Sequence, residues 1–315
     1  MKYQIKNDNS QSFDPSITVI IATKDRHAPF LQALGSCLSQ KRYPEQIVVI
    51  DQSKNKLNYK EINFRCKKLN IDLKIIYDPE IEGLPEARNV GIKMAEGDIL
   101  CFIDDDCVLE RDYFENIINI FKQHPGIVGV GGFLFDKEQL NRSRFYKFFF
   151  RIFSLGPFYD EAQIFYWEPK KIQETRFLHG ASMSFKKKVF DKHLFSTCYR
   201  GYAMGEEREF CLRVSHEFKL ILSSDIHCIH NKSPLNRYKA FRYYRARVIS
   251  EAFIFRKIIR KGILNKFYFI WYCVGIILSA CYRQSIYGMI GAVSGFILII
   301  FSSFKGNIEK IVRTM

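Results

Sequence analysis

The stretch EGDILCFIDDD (96–106) decides how this chain is read. Ile99 to Ile103 are apolar without alternation, which describes a strand buried on both faces. Such a strand belongs in the interior of a sheet covered by helices. It ends in three carboxylates, Asp104, Asp105 and Asp106. Adjacent carboxylates repel one another unless a cation or several hydrogen bonds offset the repulsion. A hard divalent ion such as Mg²⁺ or Mn²⁺, itself bridged to phosphate oxygens, is the natural partner.

The same grammar extends outward. ITVIIA (17–22), QIVVID (46–51), IDLKIIY (71–77) and IVGVGGFLF (127–135) are further apolar bursts. Between them FLQALGSCL (30–38), KLNYKEINFRCKKL (56–69), PEARNVGIKMA (85–95) and DYFENIINIFKQ (112–123) place apolar residues at helical spacing. Strand–helix alternation with unalternated strands predicts an α/β fold with a mostly parallel sheet covered by helices. Ligands of such sheets sit beyond the carboxyl ends of the strands. Those ends carry Thr23-Lys24-Asp25-Arg26, Asp51-Gln52-Ser53 and Asp104-Asp105-Asp106. Three polar ends in one sheet point to a common crevice. No G-x-x-x-x-G-K loop is present, and GVGG (129–132) lies inside a strand-like run, outside the context of a dinucleotide fingerprint. Phosphate charge therefore falls to a metal and to side chains.

The 315 residues are 47% apolar and 26% charged, which excludes a disordered or collagen-like protein. The net charge of +15 is uneven: residues 1–136 carry 17 basic and 20 acidic groups, residues 137–315 carry 31 and 13. A basic half rich in Phe and Tyr calls for an anionic surface, nucleic acid or lipid. The aromatic signature of RNA platforms is missing, so no nucleic acid is expected. Nine cysteines without a CxxC pair, mostly inside apolar runs, fit a reducing compartment. The polar residues 1–15 lack a signal-peptide core, so the catalytic part is expected in the cytoplasm.

FYFIWYCVGIILSACY (267–282) and QSIYGMIGAVSGFILIIFSSF (284–304) are uncharged runs of 16 and 21 residues separated by Arg283. The second is long enough to cross a hydrocarbon core and the first is marginal. Arg256, Lys257, Arg260, Lys261 and Lys266 precede them, and Lys305 and Lys310 follow. This basic collar on an apolar helical hairpin fits an anionic cytoplasmic leaflet; two buried core helices are the plainer reading. FYKFFFRIFSLGPFY (145–159) reads as an acceptor-side loop, a membrane-contacting surface or a satellite of the core. RYKAFRYYRARVISEAFIFRKIIRK (237–261) reads as a basic aromatic helix, facing lipid phosphate or solvent.

VIIATKDR (19–26), VVIDQS (48–53), GLPEARNVGI (83–92), EGDILCFIDDD (96–106), GASMSFKKKVF (180–190) and GEEREFCLRV (205–214), in this order, resemble glycosyltransferase family 2 over residues 16–235. The resemblance implies a GT-A fold and inverting transfer with a divalent metal. It implies nucleotide-sugar contacts at Thr23, Asp25, Arg26, Asp51, Arg88, Asp104 and Asp105, Arg88 also being suited to a structural ion pair with the carboxylates. It matches Asp106 to the metal-ligating end of the family's D-x-D motif. Cys107 stands where relatives often carry another acid. Glu207 aligns with the general base, with Glu206 second because Glu replaces the usual Asp. Acids in a first helical turn also complement the helix dipole. His230 is expected to meet metal or diphosphate, His227 less so, although a lone His is more often a hydrogen-bonded core residue. A zinc site from Cys107, Cys228, His227 and His230 matches no zinc spacing. His179 and Gly180 are expected on the acceptor side.

The expected organisation is a polar tail (1–15), a nucleotide-sugar half (16–136), an acceptor and base half (137–235), and a basic helix with membrane-associating helices (236–315). The expected activity is transfer of a sugar from a nucleotide-diphospho-sugar to a hydroxyl of a lipid-linked glycan in cell-surface polysaccharide synthesis. One rival is direct transfer to a polyprenyl phosphate, whose anionic nucleophile needs no base. The other is a non-catalytic basic module for membrane docking or nucleic acid, which gives no reason for acids at strand ends.

Overall fold

The computed structural model describes residues 14–135, 142–201, 203–231, 239–259, 262–305 and 308–314. The tail through residue 13, the end of DIHCIHNKS (232–233), the start of the basic aromatic stretch (237–238), and Arg260 and Lys261 lie outside the described residues.

The first half alternates as its apolar periodicity dictates. Strands β1 (Ile17–Thr23), β2 (Gln46–Asp51), β3 (Asp72–Tyr77) and β4 (Ile99–Ile103) pair in parallel in the order β3-β2-β1-β4. Ile17, Val19, Ile21 and Ile47 to Ile50 are fully buried. Each such side chain stabilises the fold by about 1.5–3 kcal/mol. Helices α1 (His27–Cys37), α2 (Lys60–Lys68), α3 (Leu84–Met94) and α4 (Tyr113–Gln123) connect the strands, and α3 packs on β1 and β2. In register, Thr23 stands opposite Asp51, and Asp51 opposite Tyr77, so the polar strand ends are level.

Beyond β4 the sheet is mixed rather than parallel. Strand β5 (Cys107–Leu109) follows the carboxylates, and β6 (Ile127–Phe135) keeps the direction of β4. Between β4 and β6 lies β8 (Ser182–Lys186), antiparallel to both. Strand β9 (Lys219–His230) runs parallel to β6 and antiparallel to β5 and to β7 (Ile172–Thr175). Of the pairings among described residues, four are parallel and four antiparallel. The mostly parallel sheet therefore holds for the first half only. A strand supplied from the later part of the chain is wedged into it, and this wedge brings residues 179–182 to the end of β4.

After β6, α5 (Arg144–Phe153) and α6 (Glu161–Trp167) lead to β7, and α7 (Glu206–Ser215) lies between β8 and β9. The stretch 145–159 is mainly helix, not a loop. Ser143 caps α5 by accepting from the Tyr146 amide at 3.1 Å. No residue of α5 is buried.

Helices α8 (Ala240–Lys257), α9 (Ile263–Tyr282), α10 (Ile286–Lys305) and α11 (Ile308–Arg313) complete the chain. They share a second apolar cluster around Val248, Ile249, Phe253, Tyr272 and Ile276. Helix α10 lies along α8, where a side chain at Gly291 would collide with the Phe241 carbonyl. Among the described residues α9 is long and apolar enough to cross a membrane. Helices α9 and α10 each run for 20 residues. Helix α9 begins at Ile263 and takes in Asn265 and Lys266 ahead of the run, which lengthens it by a turn.

Candidate active site

The carboxyl ends of β1 and β4 meet. The Thr23 hydroxyl donates to Asp105 Oδ2 at 2.8 Å, and Arg26 Nη1 donates to Asp105 Oδ1 at 3.0 Å. Arg26 Nη1 also stands 3.7 Å from Asp106. The three carboxylates are thus separated by role in the fold. The side chains of Asp105 and Asp106 are 6% and 2% exposed, while that of Asp104 is 28% exposed. Burial pushes the Asp105 carboxyl up to about 6, against the pull of Arg26 and Thr23.

Asp51, at the end of β2, is wholly enclosed. Its carboxylate accepts from the Tyr59 hydroxyl at 2.8 Å and from the Ser53 amide at 3.0 Å. Asp25 is exposed and adopts φ 56°, with Oδ1 accepting from the Lys54 amide at 3.0 Å. The two acids therefore fix the 51–54 turn from opposite sides. Tyr59 was not legible as a site residue, because nothing in its local sequence links a helix-entry tyrosine to an acid eight residues earlier.

Arg88 on α3 is the hub. It is buried, its Nη1 pairs with Glu206, and its Nη2 donates to Asp104 at 3.1 Å and to the Gly180 carbonyl at 2.9 Å. Its guanidinium lies over the Phe195 ring at 5.4 Å. Asn89 holds that loop, donating to the Phe195 carbonyl at 2.9 Å and accepting from its amide at 3.0 Å. Asn89 and Phe195 position Arg88 and were missed, since the contact spans more than 100 residues. Burial works against the Arg88 charge, but Glu206 and Asp104 more than offset this.

Glu206 and Glu207 open α7 after Gly205, whose φ of 85° suits glycine. Glu206 is buried against Arg88, and its Oε2 has no hydrogen-bond partner among the described residues. Glu207 is half-buried and lies beside Gly180. Burial raises the carboxyl pKa of both, with Arg88 pulling the other way. A Cβ at position 180 would lie 3.1 Å from Arg88 Nη2 and 3.3 Å from Glu207 Cβ. We therefore expect Gly180→Val to cost about 1–3 kcal/mol by overpacking. Chemical denaturation would measure this, and an unchanged midpoint would refute the tight contact.

His230 ends β9 opposite Cys107 of β5, and its Nε2 stands 3.1 Å from Asp106 Oδ1. Ligand atoms of Asp106, Cys107 and His230 lie within 4.8 Å of one another. A carboxylate with an imidazole suits a borderline-hard divalent ion such as Mn²⁺, while Cys107 is fully buried and faces inward beside Cys228. His227 is elsewhere: its Nδ1 is 3.1 Å from Glu110, and its ring packs on Phe133 and Phe135. The His179 ring lies 6.0 Å from that of His230, and its Nδ1 accepts from the Ala181 amide at 3.3 Å. The structure thus gathers Thr23, Arg26, Arg88, Asp104, Asp105, Asp106, His179, Gly180, Glu206, Glu207 and His230 into one connected region. It sets Asp51 and Asp25 at the adjoining turn.

Acids at the ends of parallel strands, joined through Arg88 to a helix bearing two glutamates, are arranged as in a glycosyltransferase of the GT-A fold. Solved structures share that fold. The mannosyltransferase PcManGT from Pyrobaculum calidifontis, in complex with GDP-Man and Mn²⁺, superimposes with a TM-score of 0.56 at 17% identity, over 96% of this chain and 84% of that one. Staphylococcus aureus TarS 1–349, in complex with UDP-GlcNAc, gives 0.58 at 12% identity over 90% and 81%. The chain belongs to glycosyl transferase family 2, which matches residues 18–194. It is 23% identical over 243 residues to the glucosyl-dolichyl phosphate glucuronosyltransferase of Haloferax volcanii, covering 72% of this chain and 70% of that protein.

Proposed function

We propose that this glycosyltransferase moves a sugar, with inversion, from a nucleoside-diphosphate donor to a hydroxyl of a lipid-linked glycan at a membrane surface, in cell-surface polysaccharide assembly. One observation carries the reading: the half-buried Glu207 and Asp104, first of the three strand-end carboxylates, meet at Arg88 and Gly180. Thr23, Asp25, Arg26 and Asp51 would receive the nucleoside end. Arg26 and Arg88 place two guanidinium groups where diphosphate charge must be held. Asp106 and His230 would hold a divalent cation, and when bound it shields the charge growing on the departing diphosphate. Glu207 takes the proton from the acceptor hydroxyl as that oxygen attacks the anomeric carbon. Arg88 stays engaged with Glu206, which leaves Glu207 for this task. His179 and Gly180 form the acceptor side.

The membrane setting is supported by α9 and by the exposed side chains Phe145, Phe148, Phe267 and Ile270. It is also supported by the name of the Haloferax relative, which acts on a dolichyl phosphate sugar. Arg256 and Lys257 at the end of α8 and Lys266 at the start of α9 fit an anionic cytoplasmic leaflet.

A thermal-shift panel of UDP-, GDP- and dTDP-sugars with and without Mn²⁺ tests the proposal. Donor at 100 times its Kd should stabilise the fold by about 2.7 kcal/mol. We expect one nucleotide class to raise the melting temperature, and to do so only with the metal. No shift for any nucleotide-sugar under either condition would overturn the reading.

A further inference from the structure

Helix α9 has two faces. Ile263, Phe267, Ile270, Val274 and Leu278 recur every three or four residues, so they share one face, and all are exposed. Phe269, Tyr272, Cys273 and Ile276 on the other face are buried. Helix α10 repeats the pattern, with Ile286, Ile290, Val293, Ile297 and Ile300 exposed along one side. Both helices turn their buried sides to the cluster they share with α8, so the two stripes point away from it. On α5, Phe145 and Phe148 are 62% and 63% exposed, and Ile152 continues the line. This third stripe joins that of α9 where the Phe145 ring lies 5.9 Å from that of Tyr282, itself exposed.

The margin of this apolar face is basic. None of the three helices contains Asp or Glu. Arg144 and Arg151 are exposed beside the α5 stripe, Arg151 also pairing with Glu168. Lys266 and Arg283 are exposed at the two ends of α9. Apolar stripes with such a margin complement an anionic lipid surface. A two-fold pairing with a second copy would instead set the margin against like charge.

Packing decides how the face meets lipid. Helix α10 lies along α8: Gly291 and Gly295 meet the Phe241 and Arg245 carbonyls, and Arg256 Nη2 donates to the Ile299 carbonyl at 2.9 Å. Helix α5 lies along α9, with Trp271 Nε1 donating to the Ile152 carbonyl at 2.8 Å and the Tyr146 ring 5.9 Å from that of Tyr282. An upright hairpin would therefore draw Arg144, Arg151, Arg242, Arg245 and Glu251 into hydrocarbon, where each charge is costly. It would also pull on α7, since Glu251 stands 3.4 Å from Arg208. A hairpin lying flat admits only the stripes.

We propose that α5, α9 and α10 form a seat in the plane of an anionic phospholipid bilayer. Their stripes enter the boundary between headgroups and acyl chains, and neither helix of the hairpin crosses. This deepens the membrane setting proposed above, on which it rests.

The full chain is diluted from detergent onto preformed phosphatidylcholine vesicles, with or without phosphatidylglycerol, and partitioning is measured by sedimentation. Vesicles with phosphatidylglycerol should bind it at least about tenfold more tightly, and high salt should remove the preference. The double variant Phe145→Ser, Phe148→Ser should bind about tenfold less; both side chains are exposed, so the fold does not depend on them. Depth tests the orientation. Ile263→Trp, Ile270→Trp and Leu278→Trp are read by quenching with lipids brominated near the headgroup or near the chain end, against the background of Trp167 and Trp271 in the unaltered chain. A flat α9 places all three at one depth of about 5–10 Å. An upright α9 spreads them over about 22 Å. Graded depth, equal binding to both vesicle types, or self-association in place of vesicle binding would each overturn the proposal. The donor-induced thermal shift of the unaltered chain separates the two readings. A donor shift without vesicle binding overturns the seat and leaves the transfer reading standing. Flat, charge-dependent binding without a donor shift supports the seat and overturns the transfer reading.

Discussion

Glu207→Gln should lower turnover by about 10²–10⁴-fold and leave the cation-dependent donor thermal shift in place. The amide keeps the volume and the packing beside Gly180 but accepts no proton. Arg88 remains paired with Glu206, so the donor side of the crevice is undisturbed. The pH profile sharpens the test. A base works in its ionised form, so turnover falls as pH drops through the pKa of Glu207. Burial holds that pKa above the usual carboxylate range. The acidic limb should therefore lie higher than an exposed glutamate would give, and Glu207→Gln should lose it. Full turnover in Glu207→Gln would transfer support to an acceptor that is already anionic, such as a polyprenyl phosphate.

Removing the Asp106 carboxylate should be more severe. Asp106→Ala takes away the oxygen that faces His230 at 3.1 Å and weakens the arrangement that Arg26 completes. Charge stabilisation of several kcal/mol at a leaving diphosphate corresponds to about 10³-fold or more in kcat/KM. Loss of Mn²⁺-dependent donor binding should accompany it. Because Asp106 is buried, Asp106→Asn serves as the isosteric control for folding. Retention of the same Mn²⁺ dependence in both variants would remove Asp106 from the metal.

The parts of this site that could be read from the sequence are those carried by single strands. ITVIIA, QIVVI and ILCFI are buried on both faces, so they appear as unbroken apolar runs whose polar ends stand out. Strands β5, β7 and β8 did not show themselves. CVL is only three residues, IQET is a part-exposed edge segment, and SMSFK buries two serines, one of them bonded to the Tyr113 hydroxyl, inside the sheet. The acids were visible and their partners were not. Arg88 to Glu206, Arg88 to Gly180 and Asn89 to Phe195 are contacts between distant segments that only the wedged β8 and the docked α7 bring together. In the C-terminal part, the uncharged run 267–282 understated the first helix by one turn, since a helix tolerates Asn265 and Lys266 at its polar start. Helical character in RFYKFFFRIF was hidden because every position is aromatic, basic or bulky.

The contact of Gly205 with Ser250 and the pairing of Arg208 with Glu251 join the reacting carboxylate and the apolar helices into one stiff arm. A change at either contact would therefore be felt on both helices at once, so the orientation of α7 over the sheet depends on a part of the chain that lies outside it.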